Sequence, residues 1–93
     1  MQTFLLMGRY SVDAVKEMSV DRTKKAVELI MELGGKVISM YALLGGYDLV
    51  LIVELPNIEA AMKASLGLSL LTGISFSSFP AVSVSEFDKI IEK

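Results

Sequence analysis

Ninety-three residues with a formal net charge of −2 and neither cysteine nor histidine exclude disulfides, thiolate nucleophiles, histidine bases and Cys/His zinc sites. A pI near 5.0 argues against a surface that tracks nucleic-acid phosphates. Hydrophobic residues make up 53% of the chain and the mean hydropathy is +0.56. A small domain buries a modest share of its surface, so this excess points to contacts between subunits.

Thr3 to Met7 (TFLLM) reads as a first strand that ends near Gly8-Arg9-Tyr10. Ser11 can cap a short turn over residues 12–17, and Asp21 reads as the N-cap of a longer helix. In that helix Val27, Ile30 and Met31, flanked by Ala26 and Leu33, form an apolar stripe, and Gly34-Gly35 supplies the stop. Arg22, Lys24 and Lys25, the densest basic cluster, read as a solvated helix end.

Lys36 to Leu55 (KVISMYALLGGYDLVLIVEL) holds two apolar runs joined by Gly45-Gly46 and reads as a β-hairpin. Both glycines can take positive φ, as a type I′ turn requires. That turn sets Leu44 opposite Tyr47, Leu43 opposite Asp48, Tyr41 opposite Val50 and Ser39 opposite Ile52. Alternation then puts Lys36, Ile38, Met40, Ala42, Leu44, Tyr47, Leu49, Leu51, Val53 and Leu55 on one face, to be roofed by helices. The other face carries Val37, Tyr41, Leu43, Val50 and Ile52 among Ser39, Asp48 and Glu54. A solvated antiparallel face is mostly polar, so this second face also requires a cover. A second copy of the chain is the simplest one.

Pro56-Asn57 closes the hairpin, with Asn57 as the cap of a helix whose apolar face is Ile58, Ala61, Met62 and Leu66. Leu66 to Leu71 (LGLSLL) fits either more helix or a loop before the break at Gly73. Ile74 to Phe79 reads as a fourth strand, with Pro80 limiting pairing at an edge or a terminus. Ser75 and Ser77 share one of its faces; Ile74, Phe76 and Ser78 share the other. Ser83 and Ser85 offer caps for a last helix with a narrow stripe of Phe87, Ile90 and Ile91.

The order β-α-β-β-α-β with a C-terminal helix gives an α+β fold, the ferredoxin-like antiparallel sheet with two helices on one face. Residues 1–93 read as one such domain. Two bare faces packed together make a dimeric α+β barrel. Apolar runs are too interrupted for a membrane helix, and no basic-then-apolar leader opens the chain. A cytoplasmic protein with no membrane, nucleic-acid or cofactor partner is expected.

Gly46-Tyr47-Asp48, with Gly45 before it and Leu49 to Glu54 after it, resembles the GYD-domain proteins. The resemblance covers nearly the whole chain, including the helix with Arg22 that runs to LGGKV (Leu33 to Val37), Tyr41, and Ser85-Glu86-Phe87. Leu43 stands where members of the family often carry threonine. The resemblance implies a ferredoxin-like, dimeric α+β-barrel fold and no particular activity. A weaker similarity runs to the ligand-binding domain of leucine-responsive regulators, which build amino-acid sites between subunits. The helix-turn-helix that accompanies that domain there is not expected within these residues.

Asp48 is the most suggestive side chain. On a cavity wall, next to Tyr41 diagonal to it across the hairpin, its carboxylate could orient a polar ligand or accept a proton. Asp at a turn more commonly binds backbone groups. Tyr47 is expected on the helix-packed face with its hydroxyl at a rim. Arg9 could pair with an acidic ligand or with Asp48, and Ser75 and Ser77 could add hydroxyls if their face lines the cavity. Methionines 7, 18, 31, 40 and 62 read as filler.

Three functions fit these residues. The first, preferred, is a small-ligand-binding module with a polar or aromatic ligand in the inter-subunit cavity. The second is a cofactor-independent enzyme on a small carbonyl or aromatic substrate, with Asp48 and Tyr41 as its polar pair; the lack of histidine counts against it. The third is a purely structural subunit of a homodimer or a higher even-numbered oligomer.

Overall fold

The computed structural model describes residues 1–92. Its elements are β1 (Gln2–Arg9), α1 (Val12–Lys16), α2 (Val20–Glu32), β2 (Lys36–Ala42), β3 (Leu49–Leu55), α3 (Ile58–Thr72), β4 (Ser75–Ala81) and α4 (Val84–Ile91). The strands form one sheet in the order β2-β3-β1-β4, every neighbouring pair antiparallel. Helices α2 and α3 cover one face, where Phe4, Leu6, Ile30, Leu51, Val53, Leu55 and Leu68 are fully buried. This is the expected ferredoxin-like arrangement with an added C-terminal helix.

Local sequence explains most boundaries. Ser11, Asn57 and Ser83 cap α1, α3 and α4, each side chain accepting from the backbone N–H three residues on. For α2 the cap is Ser19, accepting from Arg22 N, and not Asp21; the helix therefore starts earlier than expected. Its C-terminus is a Schellman closure: Gly34 N donates to Met31 O and Gly35 N to Ile30 O, with Gly34 at φ 84°. Gly35 is then pressed against β3, where a Cβ would overlap Glu54 O. Pro80 lies inside β4, an edge strand, as its missing N–H requires.

Three further expectations are corrected. The turn between β2 and β3 is wider than a two-residue type I′ loop: only Gly45 of the pair has positive φ, and Leu44 is fully exposed. The pairs Tyr41–Val50 and Ser39–Ile52 stand, but a β-bulge between Val37 and Ser39 shifts the register beyond them. One extra residue reverses the faces. Val37 joins the core, Ile38 turns outward, and Lys36 comes opposite Glu54, with Nζ 3.3 Å from its carboxylate.

The third correction concerns α3. Its buried residues are Ala60, Ala61, Ala64, Leu68 and Thr72, while Ile58, Met62 and Leu66 point to solvent. Alanines allow the helix to lie close to the sheet. Gly67 does the same toward α2, since a Cβ there would meet Leu29 at 3.0 Å. Close approach, not side-chain size, selects the inner face.

The contrast between two glycines tests this account. Gly35→Ala forces a Cβ into the Glu54 carbonyl and should cost about 1–3 kcal/mol, the usual range for overpacking. Gly46→Ala meets open space without positive φ and should stay within about 0.5 kcal/mol of the parent. Urea unfolding of both variants checks the pair.

Candidate functional site

Among the described residues, nothing forms a second layer on the face of the sheet opposite α2 and α3. Leu5 and Met7 of β1 and Ile52 of β3 are half-buried there, and Tyr41 and Phe79 are largely exposed. Four of the six candidate residues converge at one end of this face. Arg9 ends β1 opposite Ser75 of β4, and Ser77 lies opposite Met7, so both serines share the face with Arg9. Phe79, two residues on, lies opposite Leu5 on the same side.

Tyr47 is also there, which corrects its assignment to the helix-packed face. The Arg9 guanidinium carbon sits 4.8 Å from the Tyr47 ring centroid, and Tyr47 meets Phe79 edge-on at 6.4 Å. Strict alternation from Leu49 would send Tyr47 the other way. It fails because Asp48 is a bend and not a pleated residue.

Asp48 makes that bend by tying the hairpin to the end of β1. Its N–H donates to Gly8 O at 2.8 Å, and its Oδ2 accepts from Tyr10 N at 2.9 Å. The carbonyl of Asp48 accepts from Leu43 N at 2.8 Å, closing the hairpin. Three backbone partners in two directions leave Asp48 as the clamp that presents Tyr47 to Arg9. Among the described residues Arg9 forms no ion pair, with Asp48 or with any other acid. Tyr41 lies on the same face across from Val50, on the edge strand β2.

The resulting site offers a guanidinium against an aromatic ring, a second ring at right angles, and two hydroxyls on an apolar floor. A planar or apolar body could lie on Phe79 and Met7 while an acidic group meets Arg9 and the serines. Phe79 was legible from the residues: its parity with Ser75 and Ser77 puts it on their face. Among the described residues no group of acidic side chains is arranged to hold a metal ion.

A separate hollow of about 90 Å³ lies under the helices, lined by Met18, Arg22, Ala26, Met40, Leu49, Leu68 and Phe76 among others. Arg22 donates from Nη1 to Ala14 O at 2.6 Å and to Thr72 O at 3.5 Å, pinning α1 to the C-terminal end of α3. A cation at a helix C-terminus is favourable in itself. The hollow is well below the several hundred cubic ångströms of an ordinary ligand site. It contains none of the candidate residues.

Residues 4–91 match the model of the GYD domain, and the chain belongs to the GYD-domain family. Solved structures similar to it include the leucine response regulatory protein LrpA of Mycobacterium tuberculosis, at 14% identity and a TM-score of 0.62, covering 88% of this chain and 51% of that one. An AsnC family transcriptional regulator from Agrobacterium tumefaciens aligns at 23% identity and a TM-score of 0.57, over 87% and 50%. TTHA0845 from Thermus thermophilus aligns at 26% identity and a TM-score of 0.55, over 89% and 95%. The chain spans about half the length of the two regulators, and the likeness to them shows the shared ferredoxin-like fold. Among curated proteins none matches the sequence. Among the described residues no helix is long and apolar enough to cross a membrane.

If Asp48 is the clamp, its loss is a loss of stability. Asp48→Ala leaves the part-buried Tyr10 N–H without its acceptor and should cost about 1–3 kcal/mol. Asp48→Asn keeps an acceptor oxygen and should cost less than half as much. Thermal unfolding of the three proteins checks the order.

Proposed function

We propose that the protein is a cytoplasmic homodimer, or a higher even-numbered oligomer built on it, that binds a small acidic molecule with an aromatic or apolar body. The ligand lies between two sheets packed open face to open face. Arg9 meets its acidic group, Ser75 and Ser77 hydrogen-bond it, and Tyr47 and Phe79 flank its body. Tyr41 and Asp48 close the hairpin side of the cavity.

The observation that carries this reading is the Arg9–Tyr47–Phe79 cluster on an otherwise apolar sheet face. An unpaired guanidinium on such a face costs desolvation when a second sheet covers it, unless an anion accompanies it. The exchange of Val37 for Ile38 at the bulge keeps that face apolar, so the reason for a cover is unchanged. The catalytic alternative draws less support, because the carboxylate it would use as a base already accepts the Tyr10 N–H.

Native mass spectrometry of gently purified protein, followed by denaturing analysis of what it carries, tests the reading. The expected result is an even-numbered assembly with a small organic acid bound. Arg9→Ala should keep the assembly and weaken the acid at least about ten-fold, the loss of one charge-assisted hydrogen bond. An assembly that is empty and shows no affinity for acids would assign the protein a structural role. A monomer would contradict the reading at its base.

A further inference from the structure

We propose that α4 is an exchange arm whose apolar stripe packs on the outer stripe of α3 in a second copy of the chain. This interface uses neither the open sheet face nor the ligand site.

The outward residues of α3 are Ile58, Met62, Leu66 and Leu70, one every four residues, so they form a single ridge along the helix. Leu66 is 67% exposed and Leu70 89%. The ridge runs for about 18 Å at 1.5 Å per residue. Alanines already fill the inner side, so the bulky residues have no place within their own domain.

Helix α4 has the complementary deficit. It buries none of its residues, and Val84, Phe87, Ile90 and Ile91 are all exposed. Eight residues are too few for a helix to persist in water on its caps alone; packing of its apolar face must hold it. Val82 and Ser83 are its whole connection to β4, and beyond them α4 runs on without burying a residue against its own chain. The domain is accordingly long, 51 Å by 30 Å by 18 Å.

The two stripes fit each other in kind and extent. Together they expose side-chain surface on the order of 1,000 Å² per copy, against the ~800 Å² per partner of a standard stable interface. Neither stripe reaches that area alone. A two-fold exchange, each α4 on the other copy's α3, covers both at once and closes without leaving a free end. A lipid surface is a poor occupant, because α4 carries Glu86 and Asp88 against Lys89, whereas helices that lie on anionic membranes are rich in lysine and arginine.

The chain has no cysteine, so single substitutions report contacts cleanly. Leu66→Cys and Ile90→Cys change exposed side chains and should leave the fold intact by circular dichroism. The two variants are co-expressed, gently oxidised and run on a non-reducing gel, and the linked peptides are identified by mass. The expected product is a covalent dimer joined 66 to 90, dominating over 66–66 and 90–90. The doubly substituted chain should link between copies and not within one. Leu70→Glu should lower the assembly's mass in light scattering while Arg9→Ala does not. Like-with-like links, an intrachain 66–90 bond, absence of any link, or an unchanged mass for Leu70→Glu would each overturn the proposal.

Discussion

The bond from the Tyr10 N–H to the Asp48 carboxylate is the constraint on which the site depends. It fixes the end of β1 against the end of the hairpin, and so fixes Arg9 relative to Tyr47. A turn held by its own two glycines would have sent Tyr47 toward the helices. The anchored turn sends it to the open face instead. Tyr47 and Asp48 therefore act together: a ring to be placed, and the carboxylate that places it.

Backbone spacing governs the rest of the fold in the same way. Gly35 lets the end of α2 touch β3, and Gly67 with three alanines lets α3 lie close to both α2 and the sheet. Close packing of small residues turns the larger apolar side chains outward. The protein thus has a thin core and unusually greasy outer surfaces on the sheet, α3 and α4. A mean hydropathy of +0.56 in so short a chain is the compositional trace of those surfaces.

Element order, three helix caps and the hairpin pairs Tyr41–Val50 and Ser39–Ile52 were legible in the residues, because caps and strand alternation are local signals. The bulge at Ile38 was not, since nothing in KVISM marks where an extra residue enters. The inner face of α3 was misjudged because apolar periodicity weights size, and Ile58, Met62 and Leu66 outweigh Ala60 and Ala64 in any such count. Of the site, parity joins Ser75 to Ser77, but their sharing a face with Arg9 follows from the pairing of β1 with β4, which is not a local signal. The placement of Tyr47 depends on a contact between residues 10 and 48, which no local pattern contains.

Cover of the open sheet face by a second copy underlies the proposed ligand site. Methyl NMR in the presence of a soluble gadolinium chelate measures this directly at Leu5, Met7 and Ile52. Beneath a second sheet these methyls should relax as slightly as those of the core residues Leu6 and Val53. Relaxation approaching that of fully exposed Leu44 would mean a bare face, and would contradict that cover.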